Sequence, residues 1–111
     1  MKLAIDLTTI EAGTSLVVRA SVGRHPLAAA RVAPRFCPCC QLPAGYVVRL
    51  KALTTHARLL RRAVRCLVGE LSEQFGVDAW EAVTADVQDV LRECGMRAVG
   101  RAGKAVVFGR E

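Results

Sequence analysis

Three cysteines lie within four positions near the middle of the chain, a spacing at which thiols can bind a metal or exchange disulfides. Cys37 and Cys40 enclose Pro38 and Cys39, so the run contains a C-x-x-C. Zinc prefers four tetrahedral nitrogen or sulfur ligands, and His56 offers an imidazole further along. One hypothesis is therefore a zinc site that uses Cys37, Cys39, Cys40 and His56. No second C-x-x-C or closely spaced histidine pair is present to complete it.

The same cysteine run allows other chemistry. It predicts thiol–disulfide exchange if a helix opens at the motif and lowers the pKa of the first thiol, but Pro43 and Gly45 follow too closely for that helix. A thiol or metal sensor and cysteines without any ligand are the remaining alternatives. Elsewhere we find no glycine-rich phosphate loop and no serine in a nucleophile elbow. We expect no enzyme activity, and no cofactor beyond the zinc hypothesis.

Four arginines share one face of a predicted helix. The stretch of about residues 53–75 has apolar residues at helical spacing, including Leu60, Val64 and Leu67, which predicts one buried face. Like charges three and four positions apart repel on a helix. Their clustering therefore suggests neighbouring acids or an anionic partner. The arginines in question are Arg58, Arg61, Arg62 and Arg65.

The surrounding sequence predicts an α+β fold in a single domain, residues 1–111. Alternating residues predict an N-terminal hairpin (2–8 and 15–22), and a second one (96–100 and 104–109) ends the chain. A second helix is expected at about 78–94, where Asp78 and Glu81 resemble a capping box. Prolines and glycines interrupt residues 23–46, which we interpret as a long Cys/Pro-rich loop. Both helices are expected to pack on a small antiparallel sheet.

The last sixty residues resemble the closing part of a winged-helix module, because two predicted helices are followed by a basic hairpin. That resemblance in topology implies DNA binding. The hairpin contributes three basic candidates for partner binding, namely Arg97, Arg101 and Lys104.

Charge is distributed unevenly over the 111 residues, whose formal net charge is +6. Residues 1–66 carry +9, residues 67–96 carry −6, and residues 97–111 carry +3. Basic clusters of this kind favour nucleic acid or an acidic protein as the partner. No signal peptide or apolar membrane-spanning run is visible, and five cysteines form no even disulfide framework, so we expect a cytoplasmic location and no membrane partner.

Together these features predict a small, basic regulatory module. The primary hypothesis is that it binds the backbone of duplex nucleic acid through the arginine-bearing helix and the basic hairpin. The first alternative is an interaction, inhibitor or adaptor module that docks on an acidic protein. The second alternative is a thiol- or metal-responsive module at the cysteine run. The opposed acidic and basic segments would also permit a homodimer.

Overall fold

The computed structural model describes residues 4–110, which form one mixed sheet and two helices. Helix α1 spans Ala57–Gln74 and α2 spans Ala85–Glu93. The seven strands are β1 (Asp6–Ala12), β2 (Ser15–Val22), β3 (His25–Phe36), β4 (Pro43–Ala52), β5 (Val77–Ala82), β6 (Met96–Ala102) and β7 (Ala105–Arg110).

The strands lie in the order β1-β2-β3-β4-β5-β7-β6. The first four form an antiparallel meander, and α1 then carries the chain across to β5, which pairs parallel with β4. Strand β7 pairs antiparallel with β5, and β6 forms the far edge. The α+β class is therefore confirmed, but the sheet is larger than predicted and contains one parallel pair.

Both helices contribute to one hydrophobic core on one face of the sheet. From α1, Leu60, Val64 and Leu67 are each at most 2% exposed, which confirms the buried face predicted for this helix. Alternate strand residues such as Val18 and Val48 belong to the same core and pack against the helices. Because side chains alternate across a strand, every second residue of β2, β3 and β4 faces away from the helices.

The first helix is shorter than the predicted range of 53–75. It begins after His56, whose Nδ1 accepts a hydrogen bond from the backbone N–H of Leu59 at 3.3 Å. The Thr54 side chain acts one step earlier, since its Oγ1 accepts from the N–H of His56 at 3.2 Å. Residues 53–56 thus form a short capping segment instead of a first helical turn.

The predicted loop 23–46 is wrong, because most of it forms β3 and the start of β4. Its prolines sit where the sheet needs no donor. Pro26 pairs with Ser21 at a bulge, and β4 begins at Pro43. Pro34 is opposite Tyr46, whose N–H points to Gly76 on the other side of β4. Pro34 and Tyr46 therefore form a non-hydrogen-bonded pair, so the nitrogen of Pro34 points toward the β2 side of β3. The pairing of β2 with β3 stops at Val32, so no β2 residue lies opposite Pro34.

The second helix also differs from its predicted range of 78–94. Residues 78–82 of that range belong to β5, in which Trp80 and Ala82 are buried and the intervening Glu81 is partly exposed. Alternating burial over residues 79–82 is the pattern of a strand. The position of Trp80 is compatible with the buried face of a strand as well as with that of a helix. A strand thus separates the helices, so the winged-helix order is not present, and the last hairpin extends the common sheet.

The two terminal hairpins exist but differ in extent. The first pairs β1 with β2, and within the predicted range 2–8 residues 2 and 3 lie outside the described part of the chain. The second pairs β6 with β7 around Gly103, whose φ of 62° suits a glycine in a two-residue turn. A similar turn at Gly23, with φ of 58°, connects β2 to β3 and was not predicted.

Candidate functional site

The four predicted arginines lie on the outer side of α1, the side away from the sheet, and all four are exposed. Their common face confirms the helical spacing read from the sequence, and we refer to it as the helix surface. It consists of Arg58, Arg61, Arg62 and Arg65.

Acidic residues of α2 lie directly beside the helix surface. One oxygen of Glu93, Oε2, is 3.3 Å from Arg61 Nε and 3.0 Å from Arg65 Nη2. A groove between the two helices is lined by Arg61 together with Asp86 and Asp89. The helix surface is therefore a region of mixed charge, where the chain itself supplies anions for part of its arginines.

The predicted hairpin residues do not share one surface. Arg97 pairs with Gly109 on the side of the sheet that faces away from the helices, whereas Arg101 pairs with the core residue Val106. Lys104 lies in the turn between β6 and β7. All three are exposed, but the hairpin presents no continuous basic stripe alongside the helix surface.

A second basic surface lies on the opposite face of the sheet and was not predicted. Along one row Arg31 of β3 is directly opposite Arg49 of β4, and along the next Ala29 separates Arg19 of β2 from Lys51 of β4. Strands are spaced by about 4.8 Å, so the Cα atoms of Arg19 and Lys51 are about 10 Å apart. We call this the sheet surface, and its members are Arg19, Arg31, Arg35, Arg49 and Lys51, all exposed.

Small residues give the sheet surface a shallow groove. Val17 and Ala29 form its floor, and Arg31, Arg49 and Lys51 stand around it. Because an alanine side chain ends at Cβ, the longer basic side chains on either side project above it. An extended anion can therefore lie over Ala29 and meet guanidinium and ammonium groups along both sides.

Three acids lie at the borders of the sheet surface, and one of them, Asp78, has its carboxylate beside Gly45, the cross-strand neighbour of Arg35. Glu81 of β5 is opposite Arg49, and its Oε1 accepts from Arg49 Nη2 at 2.8 Å and from Arg49 Nε at 3.1 Å. Asp6 belongs to the edge strand β1. Within residues 4–110, the other four members of the surface make no ion pair at all.

Aromatic side chains are located away from this groove. Trp80 and Phe108 are buried in the core, and Tyr46 packs edge-on against Phe75 at 5.0 Å between ring centroids. Phe36 lies at the distal end of β3, beside the cysteine run. Base stacking needs exposed aromatic rings, so the sheet surface is suited to phosphate contacts and not to stacking.

The cysteine run forms the connection between β3 and β4. The N–H of Gln41 donates to Cys37 O at 2.9 Å, and the N–H of Cys37 donates to Leu42 O at 3.0 Å, which closes a tight turn. Within it, the Sγ atoms of Cys37 and Cys39 are 3.3 Å apart. Cys39 and Cys40 are exposed and Cys37 is half-buried.

Backbone amides of this turn stabilise one thiolate. The pKa of Cys37 is lowered to about 7, mainly by the backbone N–H of Cys40 and then by the thiol and N–H of Cys39. A helix N-terminus is the usual source of such donors, and here a β-hairpin turn provides them instead. Cys94 shows the opposite behaviour, because burial raises its pKa.

The structure does not bring the four predicted zinc ligands together. The cysteines precede β4 and His56 follows it, and a strand of ten residues is about 30 Å long. The ring of His56 is also occupied as the cap of α1. Within residues 4–110, no group of three or more His, Cys, Asp or Glu side chains is arranged to hold a metal ion.

Comparison with known proteins adds no assignment: no protein-family model and no curated protein matches the chain. Neither helix in the described residues is long and apolar enough to cross a membrane. The candidate site is therefore defined by geometry and charge alone, with the sheet surface and the cysteine turn as its two distinct parts.

Proposed function

We propose that this protein binds the phosphate backbone of nucleic acid, with duplex as the preferred form, and that the sheet surface is the binding face. The observation that supports this is the direct opposition of Arg31 and Arg49, with Arg19 and Lys51 in the adjacent row. Like charges opposite one another destabilise a sheet. A polyanion lying across these rows offsets that repulsion.

The chemistry of the groove specifies the class of ligand. Lysine and arginine contacts to phosphate are independent of sequence and weaken with salt, because binding releases counterions. Because the aromatic rings lie in the core or near the turn between β3 and β4, we expect the sheet surface to recognise little by base stacking. The five free cysteines suit a reducing compartment, so the proposal places the protein in the cytoplasm.

The test is the salt dependence of binding to a fluorescently labelled duplex of mixed sequence, followed by anisotropy. For four to five phosphate contacts, the plot of log K against log salt has a slope of about −4. A duplex of unrelated sequence should give nearly the same affinity. Undetectable binding at low salt would refute the proposal, and equal binding to polyglutamate would point to an acidic protein instead.

Two matched variants locate the binding face. The sheet variant R19Q/R31Q/R35Q/K51Q leaves the Arg49–Glu81 pair intact, and the helix variant R58Q/R61Q/R62Q/R65Q removes the same amount of charge. We expect the sheet variant to flatten the salt slope by roughly 3 to 4, and the helix variant to change it by less than about 1. Circular dichroism and thermal melting establish that both variants are folded. Equal losses in the two variants would mean that only net charge matters.

A further inference from the structure

The turn that contains the cysteine run holds two thiols close together, and nucleic-acid binding does not require them. Two sulfurs, those of Cys37 and Cys39, are only 3.3 Å apart, and the turn that holds them is closed by two backbone hydrogen bonds. A disulfide has an S–S distance of about 2.05 Å. The two sulfurs therefore need to approach by only about 1.3 Å to form a bond.

We propose that Cys37 and Cys39 form a thiol–disulfide exchange site at the end of the β3–β4 hairpin, with Cys37 as the attacking thiolate and Cys39 as the resolving thiol. Its co-reactant is a low-molecular-weight disulfide of the glutathione type. The proposal is independent of nucleic-acid binding, because the cysteines lie beyond the paired rows that form the sheet surface.

The exchange occurs in two displacements. The Cys37 thiolate attacks one sulfur of the external disulfide, and a thiolate leaves with the electron pair of the broken S–S bond. Cys39 then loses its proton to solvent and attacks Cys37 Sγ in the mixed disulfide, which releases the second external thiolate. In sum, two protein thiols are oxidised to one disulfide, and one external disulfide is reduced to two thiols.

The surroundings assign the two roles. Cys37 receives hydrogen bonds from the amides and thiols of both Cys39 and Cys40, so its pKa is lowered and its thiolate form is favoured near neutral pH. Cys39 is exposed and its Sγ lies 3.3 Å from Cys37 Sγ, so it can reach that sulfur without movement of the strands. Exposure of both Cys39 and the turn gives a small disulfide direct access.

The nearby apolar side chains are consistent with access by a flexible small molecule. Phe36 and Leu42 flank the turn and are 55% and 64% exposed. Cys39 and Cys40, which lie between them in the sequence, are also exposed, so a small molecule can approach the turn from solvent. The charged and titratable groups that face Cys37 are the thiols of Cys39 and Cys40.

The experiment starts from fully reduced protein, which is titrated with glutathione disulfide and measured by intact mass spectrometry and peptide mapping. We expect one intramolecular disulfide, mapped to Cys37 and Cys39, without loss of the melting transition. In C39S the reaction should stop at one bound glutathione on Cys37. C66S is the matched control, since Cys66 is an exposed single thiol on α1 and its removal should change nothing.

Three results would overturn the assignment. The first is a C40S variant that stops at the mixed disulfide while C39S proceeds, which would make Cys40 the resolving thiol. The second is absence of any intramolecular disulfide in the wild type. The third is stoichiometric zinc in purified protein whose removal by chelator is required before Cys37 reacts.

Alkylation of Cys37 at pH 7 should also be about five- to tenfold faster than that of a thiol of ordinary pKa.

Discussion

The helix surface and the sheet surface contain the same kind of side chain in opposite surroundings. On α1, Arg61 and Arg65 share the carboxylate of Glu93, and Asp86 and Asp89 line the adjoining groove. On the sheet, Arg31 has another arginine as its cross-strand neighbour. The first arrangement satisfies its charges within the chain, whereas the second leaves an excess of positive charge facing solvent.

A row of arginines therefore identifies a binding site only when the residues around it are known. Exposed ion pairs contribute at most about 1 kcal/mol to stability, so the Glu93 contacts serve chiefly to reduce the positive potential of the helix surface. On the sheet surface, Glu81 pairs with Arg49 at one end of the row that contains Arg31, and the row of Arg19 and Lys51 contains no acid in β2, β3 or β4.

The largest expected effect is a charge reversal at the centre of the sheet surface. In R31E the new carboxylate is opposite Arg49, so it removes one cation and partly neutralises a second. We expect duplex affinity to fall about tenfold or more, and the salt slope to flatten by about 1 to 2.

The matched control is R58E, which introduces the same charge change on the helix surface. Its duplex affinity should remain within about threefold of that of the wild type. The new carboxylate acts on the duplex only through long-range electrostatic repulsion, which salt screens. If R58E weakens binding as much as R31E, the comparison fails and the two surfaces do not differ in function.

A smaller effect of opposite sign is expected when the competing acids are removed. In E81Q, Arg49 is released from its carboxylate and becomes available to phosphate, so affinity should rise about two- to fivefold and the salt slope should steepen by about 1. In E93Q the same change releases Arg61 and Arg65 on the helix surface.

Anisotropy titrations of the two variants decide between the surfaces. We expect E93Q to bind like the wild type within about twofold. Tighter binding by E93Q and unchanged binding by E81Q would transfer the interface to α1.

The sequence was sufficient to predict α1, because its buried residues recur at helical spacing over several turns. Leu60, Val64 and Leu67 lie in the core, and the arginines face outward, as the spacing in α1 indicates. The alternation in β2 was likewise interpreted correctly, with Val18 buried and Arg19 exposed. Both patterns depend only on local geometry.

The prediction failed where tertiary context decides the role of a residue. Proline normally ends a strand, but Pro34 is tolerated because β3 extends beyond its pairing with β2, and this cannot be known before the strand order. With β3 interpreted as part of the loop 23–46, the alternation of Arg31 with Val32 was overlooked, and the pairing of Arg31 with Arg49 of β4 was not predicted. The sheet surface was therefore missed, although its period-2 signal is present in the sequence.

The sequence predicts that the cysteine run lies in a loop, but it does not predict the tight β-hairpin turn that brings two of the sulfurs together. A C-x-x-C suggests either zinc or a helix-based redox motif, and neither includes a β-hairpin turn in which two sulfurs approach to 3.3 Å. His56 was grouped with the cysteines by residue type, and only the extended conformation of β4 separates them.

The smallest expected effect is one of stability, and its sign differs between the two surfaces. In R31T the cross-strand repulsion with Arg49 disappears and a strand-forming residue replaces arginine, so the free energy of unfolding should rise by about 0.2–1 kcal/mol. In R65Q a contact with Glu93 is lost, so it should fall by about 0.2–1 kcal/mol. Urea unfolding of both variants measures these changes.

A surface retained for binding should gain stability when its charge is removed, and a surface that is internally paired should lose it. Destabilisation by R31T would show that Arg31 contributes to folding, and the argument for an anionic partner on the sheet surface would lose its energetic basis.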